Sequence, residues 1–174
     1  MGISDSSLCV RARWRVGAFA ALALAAAGAP ALAQAPGGTA CRAALAGTYL
    51  ADIGTEAGAF ASRALVTLHA DGSLDVVDSR QHQGVGGSSF SAQRGAWRCT
   101  GAGSAAGVTL NFGFPPQESV ARSDWTIGRT PAGTLSGTIA LTIYPGVANV
   151  DPFAAGGRRF GVFRFAAVRV APRN

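Results

Sequence analysis

The sequence predicts an all-β protein: a secretory signal followed by a small antiparallel up-and-down β-barrel of about eight strands. Short segments rich in β-branched and aromatic residues recur along the chain, and turn residues such as Asp71-Gly72 separate them. No segment after the signal shows the apolar periodicity of a long helix. A sheet of this length tends to curl and close, because closure removes its exposed edges. A two-sheet β-sandwich is the alternative arrangement.

The N-terminal 33 residues have the three parts of a secretory signal peptide. A basic region precedes an apolar stretch from Val16 to Ala29, and Ala31-Leu32-Ala33 provides the small residues that signal peptidase recognises. The alternative, a membrane anchor, fits less well, since Gly28 and Pro30 interrupt the stretch and leave it short of a span of about 20 residues. The domain organisation predicted is a signal peptide at 1–33, a flexible lead-in at 34–40 and a single barrel domain at 41–174.

The chain is basic, with a formal net charge of +6. Its basic residues are all arginine and are spread along the sequence, with only Arg158 and Arg159 adjacent after the signal. A nucleic-acid interface needs a basic patch interleaved with aromatic residues. The pattern therefore predicts a mildly basic, solvated surface and no nucleic-acid partner.

Two cysteines remain once Cys9 leaves with the signal. In an oxidising compartment, Cys41 and Cys99 are expected to form a disulfide. The alternative is a lipoprotein acylated at Cys41. The preceding residues, Gly38-Thr39-Ala40, lack the large aliphatic residue expected three positions upstream of such a cysteine.

Eight segments have the length and composition of strands. The first begins at Gly47, and a short helical turn over Ala40 to Ala46 precedes it. The fourth and eighth strands carry bulky or charged residues on both faces, which indicates bulges or a position near the closure of the sheet. The predicted strands cover residues 47–53, 62–69, 73–78, 89–99, 107–114, 119–127, 134–144 and 159–170.

Apolar and polar residues alternate in the fifth, sixth and seventh strands, which predicts one buried and one wet face. In the sixth strand Trp125 lies on the apolar face, and in the seventh Ile139 is apolar while Thr138 is polar. In the fifth strand the expected buried face is apolar and the opposite, polar face carries Thr109 and Asn111. That apolar face consists of Val108, Leu110, Phe112 and Phe114.

Two short motifs carry a family resemblance. Gly47-Thr48-Tyr49 resembles the Gly-x-aromatic opening of lipocalin and related calycin barrels, with Tyr49 where that pattern normally has tryptophan. Together with the run of hairpins, Gly95-Ala96-Trp97-Arg98-Cys99 resembles a strand in uncharacterised exported bacterial proteins with a lipocalin-like outline. The resemblance spans most of residues 41–170. It implies a barrel with one open mouth and transfers no catalytic residue.

No catalytic or metal motif is present in the sequence. His69 and His82 are the only histidines, and with paired cysteines they make a poor zinc site, so neither a metal nor a cofactor is expected. Trp97 and Trp125 are the candidate ligand-binding residues, since an inward-facing aromatic ring packs the core or lines a pocket. The glycine-rich segment Asp78–Phe90 is a candidate cover for a barrel mouth.

These observations favour a periplasmic or secreted binding module for a small apolar ligand. The first alternative is an envelope or extracellular interaction protein without a pocket, and an enzyme with a site inside the barrel is less favoured. A transmembrane barrel is a further alternative, but four of the eight predicted strands are shorter than the 9–11 residues or so of that class. No transmembrane segment is expected in the mature chain.

We expect signal peptidase to cleave after Ala33. Mass spectrometry of protein recovered from the periplasm or the medium is expected to show Gln34 as the N-terminal residue. An intact N-terminus in the membrane fraction contradicts this prediction, and a lipid on Cys41 contradicts it in favour of the lipoprotein.

Overall fold

The computed structural model describes residues 38–82 and 89–172, so the predicted signal peptide lies outside the described residues. One helix precedes eight antiparallel strands, each paired with the next, and the eighth strand pairs with the first to close the barrel. The predicted barrel is confirmed and the sandwich is wrong. The elements are α1 Gly38–Leu45, β1 Gly47–Thr55, β2 Phe60–Leu68, β3 Ser73–Asp78, β4 Gln93–Gly101, β5 Ser104–Gly113, β6 Ser119–Arg129, β7 Leu135–Pro145 and β8 Arg158–Arg169.

The turn between β2 and β3 follows the predicted Asp-Gly chemistry. Gly72 has φ of 96°, a conformation that glycine adopts without a Cβ clash. The Asp71 carboxylate accepts hydrogen bonds from the Ser73 backbone N–H at 2.8 Å and from its hydroxyl at 2.7 Å. These bonds lower the pKa of Asp71, because they favour the ionised carboxylate.

Helix α1 packs against the barrel end at which β1 begins and β4 ends. Cys41 and Leu45 are fully buried in the core, and Cys41 forms the predicted disulfide with Cys99 of β4, with a Cα–Cα distance of 6.2 Å. The Tyr49 hydroxyl donates a hydrogen bond to the Leu45 carbonyl at 2.8 Å. Of the lead-in predicted at 34–40, residues 38–40 belong to this helix. No helix within the described ranges is long and apolar enough to cross a bilayer.

Arg169, the last residue of β8, fastens the same end. Its guanidinium donates a hydrogen bond to the Ala46 carbonyl and lies 5.7 Å from the centre of the Tyr49 ring. Gly47 makes room for it, since a Cβ there would lie 2.5 Å from Arg169 Nη2, and its φ of 149° also disfavours a side chain. Gly47 and Tyr49 of the calycin-like opening therefore lie at the contact between the start of β1 and the end of β8.

Large apolar side chains fill this closed half of the barrel. Trp125 and Phe165 meet edge to face inside the barrel, with ring centroids 5.5 Å apart. Nearer the helix, six large side chains are almost wholly inaccessible to water: Leu45, Tyr49, Leu68, Leu74, Ile127 and Leu135. The inward faces predicted for the sixth and seventh strands are confirmed, since Trp125 and Ile139 are buried.

The predicted orientation of the fifth strand is wrong. Thr109 is fully buried and Asn111 is 7% exposed, whereas Phe112 is 53% exposed and Phe114 is 44% exposed. Thr109 lies inside because two interior partners satisfy its hydroxyl, the Trp125 indole at 3.0 Å and the Gln93 carboxamide at 2.7 Å. A buried polar group with partners avoids most of the cost of losing water.

A bulge in β8 changes which of its residues face inward. Leu141 of β7 pairs with Gly161 and Thr142 pairs with Arg159, which leaves Phe160 as the extra residue. Phe160 and Phe163, three positions apart, therefore both line the interior, with stacked rings 6.3 Å apart. The bulge and the closure position expected for the eighth strand are both confirmed, and β4 also shows a register shift between Cys99 and Gly101.

Removing the disulfide is expected to destabilise the domain strongly. It joins residues separated by 58 positions, and the chain-entropy model assigns such a loop about 4 kcal/mol. Chemical denaturation of Cys41→Ser/Cys99→Ser is expected to show a loss of that order relative to the oxidised wild type. Equal midpoints of unfolding for the two proteins contradict the prediction.

Two neighbouring substitutions in β7 test the inward face. Ile139→Asp places an unpaired carboxylate in the core and is expected to remove several kcal/mol from the free energy of unfolding. Thr138→Asp serves as the control, since Thr138 is exposed on the outer face, and we expect it to change stability little. Similar shifts in thermal midpoint for the two variants contradict the orientation.

Candidate ligand-binding site

The half of the barrel opposite α1 is open and contains a cavity of about 720 Å³. Its walls are the last residues of β1, β3, β5 and β7 and the first residues of β2, β4, β6 and β8. Cavities that hold small organic ligands in proteins span about 300–1,000 Å³. The open half therefore has room for a compact small molecule, while the other half is filled with side chains.

One side of the cavity is a polar arc that runs across five consecutive strands. Each strand contributes at least one hydrogen-bonding side chain that lines the cavity, with Ser119 as a second one from β6. Of the five that form the arc, three are at least nine-tenths buried. We define the polar arc as Ser62, Asp78, Gln93, Asn111 and Ser123. Its amides and hydroxyls provide both donors and acceptors.

The opposite side is an apolar wall formed by β7, β8 and β1. Ile139 marks its deep end beside Trp125, and Phe160 marks its outer end. We define the apolar wall as Ile53, Ile139, Leu141, Ile143, Phe160 and Phe163. The cavity is thus divided into a polar and an apolar side, which suits a ligand that is itself two-sided.

A chain of hydrogen bonds holds part of the polar arc in place. The Trp125 indole N–H donates to Thr109 Oγ1, and the Thr109 hydroxyl donates to Gln93 Oε1. Trp125 borders the cavity, but its indole N–H is already hydrogen-bonded to Thr109 in the barrel wall. Gln93 therefore has a defined orientation before any ligand arrives.

Two members of the polar arc have no hydrogen-bond partner for their side chains among the described residues. Asn111 is 7% exposed and Ser123 is 3% exposed, and both line the cavity. Burial of a carboxamide without a partner costs free energy that water or a ligand in the cavity recovers. Neither side chain has its polar atoms sealed off, so water or a ligand in the cavity can complete their hydrogen bonds.

The charged residues that line the cavity belong to its outer part. Asp78 accepts hydrogen bonds from the Ser62 hydroxyl at 2.8 Å and from the Arg80 backbone N–H at 2.7 Å. The Arg158 guanidinium lies 5.9 Å from the centre of the Phe160 ring. Glu118 completes the set of described charged residues at the mouth.

The structure separates the two tryptophans that the sequence singled out. Trp125 borders the cavity, whereas Trp97 lies in the filled half, where its indole N–H donates to the His69 carbonyl at 2.9 Å and its side chain does not border this cavity. In the candidate cover, Asp78, Arg80, Ser89 and Phe90 line the cavity, and residues 83–88 lie outside the described residues.

Sequence reasoning missed Gln93, Asn111 and Ser123. The alternation places Asn111 on the strand face expected to be wet and makes Ser123 a small member of an apolar face. The fifth strand carries a signal for these residues, because its apolar residues alternate with Thr109 and Asn111. That alternation fits a strand with its polar face turned to a cavity as well as one with its polar face turned to water.

The histidines stand apart from the cavity. His69 Nε2 lies 3.0 Å from an Asp75 carboxylate oxygen on the outer surface, and Arg94 contacts the other oxygen at 3.1 Å. His82 is exposed. Within residues 38–82 and 89–172, no three histidine, cysteine, aspartate or glutamate side chains are grouped closely enough to hold a metal ion.

The closed antiparallel barrel of eight strands is consistent with a lipocalin-like outline. Comparison of the chain with protein-family models, with curated proteins and with solved structures finds no match.

Proposed function

We propose that this protein is an exported binding module that holds a small, partly apolar ligand in the open half of its barrel. The cavity of about 720 Å³ carries the proposal, because its lining combines an apolar wall with buried polar groups that lack partners. Ligand sites in proteins characteristically combine apolar walls with a few placed polar groups.

Two features support export to the periplasm or the medium. Residues 1–33 have the composition and the small-x-small site of a cleaved signal peptide. The disulfide between Cys41 and Cys99 persists in an oxidising compartment and is uncommon in the cytosol.

The outer surface of the barrel supports a protein surrounded by water rather than by lipid. Arg63 and Asp52 pair across β1 and β2 at 2.6 Å with side chains 59% exposed, and Arg94 pairs with Asp75 across β3 and β4. A lipid-facing arginine at the middle of a bilayer costs about 2–4 kcal/mol. Seven of the eight strands have 9–12 residues, so the expectation that four are too short for a membrane barrel is wrong. The outward-facing charges across four strands are what favours the aqueous module over the transmembrane barrel.

The polar arc favours recognition over proton-transfer chemistry. Four of its members are hydroxyls and carboxamides, which exchange hydrogen bonds but do not titrate near neutral pH. Its one carboxylate, Asp78, already accepts two hydrogen bonds. The cavity itself favours a binding module over an interaction protein that needs no pocket.

Tryptophan fluorescence tests the site, because only one of the two tryptophans in the described residues borders the cavity. The neutral apolar probe N-phenyl-1-naphthylamine is expected to bind saturably and to quench Trp125. Trp97→Phe is expected to retain the quenching and Trp125→Phe to lose it. Quenching that survives in Trp125→Phe and disappears in Trp97→Phe contradicts the assignment.

A matched pair of substitutions tests the cavity without altering either indole. Ala121→Phe places a ring in the cavity and is expected to weaken probe binding at least tenfold. Ala166→Phe places the same ring on the exposed face of β8 and is expected to leave binding unchanged. Equal affinities in all three proteins, measured by calorimetry, would place the probe elsewhere and refute the proposed site.

A further inference from the structure

We infer that the ligand is a neutral molecule with an apolar body and a hydrogen-bond acceptor such as a carbonyl, and that the carboxamides of Gln93 and Asn111 bind this acceptor. The inference rests on the proposed function and specifies the chemistry of the same cavity.

The hydrogen-bond chain fixes which end of Gln93 faces the cavity. An indole N–H only donates, so Thr109 Oγ1 is the acceptor for Trp125 and has its own proton free to donate. The Thr109 hydroxyl donates this proton to Gln93 Oε1 at 2.7 Å, so Gln93 presents its oxygen to Thr109. The Gln93 Nε2 group, with two N–H donors, is directed away from Thr109, and no described residue accepts from it.

Asn111 adds a second carboxamide on the neighbouring strand. Arg94 pairs with Leu110 in the antiparallel β4–β5 ladder. Gln93 and Asn111 are the neighbouring residues that face each other across these strands, and both line the cavity. Asn111 as a residue is more than nine-tenths buried, and its side chain has no hydrogen-bond partner among the described residues. A carbonyl oxygen has two lone pairs and accepts one N–H from each carboxamide.

The charges favour a neutral acceptor over an anion. The described charged residues that line the cavity are two carboxylates, Asp78 and Glu118, and two arginines, Arg80 and Arg158, and all four belong to its outer part. Their formal charges cancel, so an anion meets no net positive charge there. A carboxylate placed against Gln93 and Asn111 therefore loses water without gaining a cationic partner, which is costly in a partly buried site.

The apolar wall accounts for the rest of the ligand. Ile139, Leu141 and Phe163 lie on β7 and β8, across the cavity from the carboxamides on β4 and β5. A flat or compact hydrocarbon body lies against this wall while the acceptor faces the polar arc. A ligand whose hydrocarbon body contacts the apolar wall while its acceptor contacts the carboxamides gains affinity from both contacts. The two contacts together also hold it in one orientation.

Three naphthalenes of matched shape test the inference: 2-acetylnaphthalene, 2-isopropenylnaphthalene and 2-naphthoate. The isopropenyl group replaces the ketone oxygen by a CH₂ and changes the shape little. Calorimetry is expected to show that Asn111→Leu lowers the preference for the ketone over the alkene about tenfold relative to wild type, as expected for a net hydrogen bond to a buried donor. Thr138→Val, on the outer face, is the control and is expected to preserve the wild-type ratio.

Two further measurements keep the test decisive if Asn111→Leu folds poorly. Gln93→Met is expected to lower the same ratio. In the wild type, the side-chain ¹⁵N–¹H₂ resonances of Gln93 and Asn111 are expected to shift with the ketone and to shift much less with the alkene.

The outcomes separate the inference from the proposed function. If the ketone and the alkene both bind saturably and neither variant changes the ratio of their affinities, the inference is wrong. The proposed binding module is then still supported. Tightest binding by 2-naphthoate also overturns it, since the arginines at the mouth then dominate recognition. Failure of all three probes to bind counts against both the inference and the proposed function.

Discussion

The packing of the closed end is the constraint on which the rest of the barrel depends. An eight-stranded barrel is just wide enough either to be filled by side chains or to hold one small ligand. Here side chains fill one half of the barrel along its axis, and the other half has room for a ligand. Three contacts fasten the helix to the first, fourth and last strands: the disulfide from α1 to β4, the Tyr49 hydroxyl on the Leu45 carbonyl, and Arg169 on the Ala46 carbonyl. With large apolar residues concentrated there, the other half tolerates an unfilled interior.

The inverted fifth strand links this packing to recognition. The Thr109 hydroxyl is buried because the Trp125 indole and the Gln93 carboxamide complete its hydrogen bonds, and Asn111 follows it onto the cavity wall. The consequence on the outside is an exposed pair of aromatic rings, Phe112 and Phe114. Exposed apolar surface outside thus accompanies a polar wall inside. The cavity lining changes from polar to apolar around the barrel, and the interior changes from filled to open along its axis.

The candidate site was only partly predictable from sequence. Trp125 was identified because it lies on the apolar face of a clean alternation, and the same reasoning placed Ile139 inward. Gln93 and Asn111 were missed because alternation shows which residues share a face but not which face a barrel encloses. Phe160 and Phe163 share the cavity only through a bulge, which shifts the inside–outside pattern by one residue. A bulge of this kind was expected in the eighth strand, but its position depends on the β7 partner.

The sequence by itself determined the number and order of the strands, the Asp71-Gly72 turn and the pairing of Cys41 with Cys99. These features follow from local backbone preferences, from side-chain periodicity and from the chemistry of two thiols in an oxidising compartment. Only the tertiary structure decided that half the barrel is hollow, that Trp97 packs while Trp125 borders the cavity, and that Thr109 and Asn111 face inward. Those outcomes depend on partners distant in sequence, since a buried polar side chain is stable only where another element supplies its hydrogen bond.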